Sequence, residues 1–130
     1  MKKVTIGLLL LAAVSLLGIQ VKAGRRQSQA EMTQQAAKDF QKADKELNQV
    51  YAKLSKAIEP SKRKRLVEAQ RAWIKFRDAS LEARFACEDQ DDRVCWGSMI
   101  QLDWPAYKTM LTRERTEQLN KLLAERYSAE

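Results

Sequence analysis

SQAEMTQQAAKDFQKADKELNQVYAKLSKAIEP, residues 28–60, is the stretch that decides the fold. It opens on Ser28 and Glu31, the Ser-x-x-Glu spacing at which each residue satisfies a free amide of a first helical turn. Met32, Ala36, Phe40, Ala43, Leu47, Val50, Leu54 and Ile58 then recur every three or four residues. That spacing draws one apolar stripe along a long helix. Pro60 ends it, because the residue before a proline avoids the helical region.

Working outward, a second helix is expected from about Ser61. Its stripe reads Leu66, Ala69, Trp73, Phe76, Ser80, Ala83 and Cys87. Trp73, Phe76 and Tyr51 are expected in the core. A third helix has two candidate starts. Ser98 and Gln101 form another capping box, which places Pro105 inside the helix and removes one backbone bond. Alternatively Asp103 caps a helix with Pro105 in its first turn, where proline is tolerated. Leu111, Leu119, Leu122, Leu123 and Tyr127 form its apolar side, interrupted by Thr112, Arg115 and Thr116. The last residues, 128–130, are expected to fray. With only four Gly and two Pro in 130 residues, and no strand-like alternation, the expected fold is all-α. It is an antiparallel bundle of three long amphipathic helices with one local disulfide.

Residues 1–23 read as a cleaved signal peptide, with Lys2 and Lys3 ahead of an uncharged apolar run from Ile6 to Ile19. Val21-Lys22-Ala23 resembles a signal-peptidase site. The run is short for a membrane anchor, so no transmembrane anchor is expected after cleavage. The helical domain is then 24–130, in the periplasm or secreted. Losing Lys2, Lys3 and Lys22 leaves 21 basic against 17 acidic residues, a net charge of +4. Export takes the chain away from nucleic acid, so no nucleic-acid partner is expected. Cys87 and Cys95 are the only two cysteines, and in an oxidising compartment they should join.

The nine-residue loop that this bond closes holds Glu88, Asp89, Asp91 and Asp92, an acidic patch on a basic chain. Histidine is absent, which removes the commonest general base and the commonest zinc ligand. No catalytic constellation converges, so no enzyme and no cofactor are expected. A calcium loop would need a turn glycine and a distal glutamate that are missing here, so no metal is assigned. The loop reads either as a solvated turn or as a contact for a basic partner, with Trp96 just beyond it as an aromatic anchor. Lys62, Arg63, Lys64 and Arg65 read as a solvated helix start or as a patch for anionic surfaces. Arg77 and Asp78 suggest an ion pair to an opposing helix, and Arg115 is a candidate partner for Asp78 or Glu68.

Three runs carry a resemblance: DFQKADKELN at 39–48, QRAWIKFRDA at 70–79 and LTRERTEQL at 111–119. Their order and spacing resemble the lysozyme-inhibitor LprI-like family of small exported bacterial proteins, over about residues 30 to 123. Trp96-Gly97-Ser98-Met99 is similar to the family's Gly-Gly-Ser-Met stretch. The resemblance implies a helical, cysteine-bridged envelope protein and a role as an inhibitor of lysozyme. The family usually carries cysteines where this chain has Gln35, Ser80 and Tyr107, and here the shorter Cys87–Cys95 link stands instead. No catalytic residue is carried over.

Two functions follow. In the first, the protein binds and blocks lysozyme or another cell-wall hydrolase, with the stiffened acidic loop as the contact. In the second, it is a non-enzymatic structural or adaptor module of the envelope, and residues 62–65 touch anionic surfaces.

Overall fold

The computed structural model describes residues 27–89 and 91–128. The expected signal peptide, the start at Gly24 and the last two residues lie outside the described residues, as does the Tyr127 side chain. The elements are α1 (Gln29–Ala57), α2 (Pro60–Arg84), the short α3 (Asp92–Trp96), a 3-10 turn (Gly97–Met99) and α4 (Ile100–Tyr127). No strand occurs among the described residues. The three long helices and the Cys87–Cys95 bond are as expected.

α1 begins at the capping box. The Glu31 amide donates to Ser28 Oγ at 3.2 Å, and the Ser28 amide donates to Glu31 Oε2 at 2.8 Å. Its whole expected stripe faces inward, with Ala36, Ala43, Leu47 and Leu54 buried and the rest half-buried. At its far end the helix stops at Ile58, before Pro60. There Arg63 reaches back from α2, its Nε donating to the Ser55 carbonyl at 2.8 Å and its Nη2 to the Ile58 carbonyl at 3.4 Å. A cation at the start of α2 opposes that helix's dipole, but this one sits on the negative end of α1. One member of the 62–65 run is thus occupied within the fold.

α1 and α4 run parallel and pack along most of their length. Met32 and Ala36 lie by Leu102, Ala106 and Thr109 at one end, while Leu54 and Ile58 lie by Leu122 and Arg126 at the other. α2 runs the opposite way between them in sequence, giving an up–down–up bundle. Small inner side chains, Ala36 and Ala43 on α1 with Thr109 and Thr112 on α4, allow close approach of the backbones. Thr112 was expected to interrupt the apolar side, but it is completely buried. Its hydroxyl donates to the Lys108 carbonyl at 2.8 Å, Thr109 to Pro105 at 2.7 Å and Thr116 to Thr112 at 3.0 Å. Each polar group is satisfied one turn back on its own helix, so threonine there behaves as a small apolar residue. Pro105 lies inside α4, and neither Ser98 nor Asp103 acts as its cap.

Two apolar clusters hold the bundle. Leu47, Leu54, Leu66 and Leu119 form one, with Trp73, Tyr51 and Leu123 against it. Leu81, Phe85 and Ile100 form the other, with Trp104 and Tyr107. Leu122, expected on the apolar side, is 45 % exposed instead.

The stripe expected on α2 is out of phase. Its buried residues are Leu66, Gln70, Arg77 and Leu81, whereas Phe76 is 60 % exposed and Ala69 and Ala83 are on the surface. The inner face admits Gln70 and Arg77 because both have partners. Arg115 on α4 donates from Nε to Gln70 Oε1 at 3.1 Å, and Arg77 pairs with its neighbour Asp78 at 2.7 Å. The two guanidinium carbons lie 5.3 Å and 6.0 Å from the Trp73 ring centre, within cation–π range. Arg115 therefore meets an amide rather than Asp78 or Glu68, and the ion pair of Arg77 is made within its own helix. Loss of hydration lowers the Arg115 pKa from the ordinary arginine value.

Leu119 is fully buried, so Leu119→Ala should lower the unfolding free energy by about 3 kcal/mol in a urea titration. Arg63→Ala should cost about 1 kcal/mol through the lost cap, while Lys64→Ala should leave the midpoint unchanged.

Candidate functional site

The segment between α2 and α4 is built on a small aromatic anchor. Phe85 closes α2, its amide donating to the Leu81 carbonyl at 3.0 Å. Its ring is 4 % exposed, and it meets Trp96 edge-on at 5.4 Å, Trp104 at 5.3 Å and Tyr107 at 6.1 Å. The Trp96 indole N–H donates to the Phe85 carbonyl at 3.2 Å. Trp96 was expected to project toward a partner. Its indole hydrogen bond instead ties the loop to the bundle, and 39 % of the residue remains exposed.

The disulfide brings Cys87 and Cys95 to a Cα separation of 5.9 Å. Between them Asp91 caps α3, its side chain accepting from the Arg93 amide at 2.9 Å. Gly97 ends that turn with φ at 62°, a conformation that favours glycine. Two fixed ends and a capped turn leave Glu88, Asp89, Asp91 and Asp92 exposed. Among the described residues the single ion pair is Arg77–Asp78, so none of the loop's carboxylates is ion-paired there. Asp89 lies near both sulfurs, but sulfurs joined to each other are not thiolate ligands, and the group is no metal site.

Beside the loop runs an open groove of about 350 Å³, lined by Arg84, Phe85, Trp96, Asp103, Tyr107 and Met110. The Arg84 guanidinium lies 4.5 Å from the Tyr107 ring centre. Sequence reasoning missed Trp104, Tyr107 and Arg84 as the loop's support. The available signal was the aromatic density between residues 85 and 107.

Lys62, Arg63, Lys64 and Arg65 are all exposed at the start of α2. From Arg65 to the end of α2 at Arg84, the helix separates this patch from the acidic loop by about 28 Å at 1.5 Å per residue. The structure therefore does not bring the two candidate surfaces together. It sets opposite charges at opposite ends of the bundle. No helix among the described residues is long and apolar enough to cross a membrane.

Residues 21–119 match the family described as Lysozyme inhibitor LprI. The chain belongs to the LprI family. The resemblance read from the three sequence runs is borne out, and the match spans most of α4 as well as α1, α2 and the loop. No curated protein and no solved structure matches the chain. For this LprI-family chain, the roles of individual loop residues rest on geometry alone.

The disulfide closes nine residues, so the double variant Cys87→Ser with Cys95→Ser should lose about 2.5 kcal/mol of stability by the chain-entropy relation. Its far-ultraviolet circular dichroism should stay helical, because the two apolar clusters do not include the sulfurs.

Proposed function

We propose that this chain binds and blocks a lysozyme-type cell-wall hydrolase, with the loop at 88–92 as the contact. Family membership supports the class of function. The observation that carries the site is the closed loop, with exposed carboxylates that form no ion pair among the described residues, held between a disulfide and the Trp96–Phe85 anchor. A pre-shaped loop gives up little conformational freedom on docking. Lysozyme acts through paired carboxylates in a cleft, and a basic enzyme of that kind attracts a local acidic projection. Exposed Trp96 edge and the adjoining groove supply apolar contact beside the charge. A disulfide also suits an oxidising compartment, periplasmic or extracellular. A second reading draws on Lys62, Lys64 and Arg65, which are exposed and have no ion-pair partner among the described residues. It makes the protein an envelope adaptor on anionic surfaces.

Lysozyme turnover of cell-wall substrate should fall when the protein is added, and the effect should weaken with salt. Replacing Asp89, Asp91 and Asp92 by Asn should abolish inhibition while leaving the fold intact, since Asn caps a helix as well as Asp. Undiminished inhibition by that variant would remove the loop as the contact. Unchanged turnover with the native protein would remove the hydrolase reading. Salt-sensitive binding to anionic vesicles, lost on neutralising Lys62, Lys64 and Arg65, would then favour the adaptor.

A further inference from the structure

α2 carries two seams. The inner one, Leu66, Gln70, Trp73, Arg77 and Leu81, faces the bundle. The outer one is Ala69, Ala72, Phe76, Ala79 and Ala83, and every member is exposed. Steps of three and four alternate without a break, which is the a and d pattern of a helix with a helical partner. Phe76, at 60 % exposure, is the one large side chain in it.

We propose that two copies of this chain pair antiparallel through the outer face of α2. Charge selects the second copy as occupant. Lys62, Lys64 and Arg65 open α2, and Glu88, Asp89 and Asp92 follow its end, all exposed and without ion-pair partners among the described residues. A parallel pair would set like against like at both ends. An antiparallel pair sets basic against acidic at both ends, and a twofold axis makes the two contacts identical. With a positions facing d positions, Phe76 packs against Ala79 of the second copy and Ala72 against Ala83. The large ring enters space that alanine leaves, and the basic turn at 62–65 falls opposite the loop at 88–92. This goes beyond the hydrolase reading and does not rest on it; a second copy and a hydrolase compete for the loop at 88–92. Pairing is read out by mass, with no hydrolase present.

The test uses protein purified after export of the full-length chain, in sedimentation equilibrium from micromolar to hundred-micromolar concentration. Native protein should show a dimer mass at low salt and dissociate as salt rises. Phe76→Glu should raise the dissociation constant at least about tenfold, as expected for a central anchor, with helix content unchanged by circular dichroism. A triple variant K62E/K64E/R65E has two acidic ends, and E88K/D89K/D92K has two basic ends. Each alone should be monomeric, and an equimolar mixture should recover the dimer mass. A monomer mass for the native protein throughout, a Phe76→Glu variant that still pairs, or a mixture that stays monomeric would each overturn the proposal.

Discussion

The close, parallel packing of α1 on α4 is the constraint from which the rest of this structure follows. Two helices approach closely only where side chains between them are small, and Ala36, Ala43, Thr109 and Thr112 meet that condition. Threonine serves there because its hydroxyl is spent on a carbonyl of its own helix. Large buried side chains gather around Leu119 and around Phe85. α2 then lies across both clusters, touching α4 through Leu66 and Trp73 near one end and Leu81 near the other.

Between those clusters the contact of α2 with α4 is polar. Arg115 and Gln70 bond directly, and Arg77 lies buried with only half-exposed Asp78 beside it. Taking guanidinium groups out of water is costly, and such contacts add little net stability. They do resist sliding, because displacing α2 by one turn would strand a buried cation. The arrangement gives α2 a definite register with a modest grip, and it leaves the helix's other flank uncovered.

Much of this is written in the sequence, but unevenly. The α1 stripe from Met32 to Ile58 was legible because one element is apolar on one side only. The cap at Ser28, the stop before Pro60 and the link between two cysteines were legible because each rests on neighbouring residues. α2 was misread because it is apolar on two sides. Leu66 and Trp73 belong to one seam and Ala69, Phe76 and Ala83 to the other, so a search for hydrophobic spacing merges them. Gln70 and Arg77 could be recognised as inward only with their partners in place. Trp96 looked free for the same reason, since its hydrogen bond crosses eleven residues to a backbone carbonyl. Arg63 was one of four similar cations until the end of α1 was positioned beside it.

One consequence concerns the objection that a protein with surplus positive charge should repel a cationic visitor. In physiological salt an exposed charge is felt over about 8 Å, while the two poles of α2 stand several times farther apart. A molecule arriving at either pole therefore meets only the sign displayed there, and the bookkeeping sum over the whole chain is invisible to it. The bundle behaves as a rod with two separate faces to the world, joined by a shaft that keeps their fields from mixing.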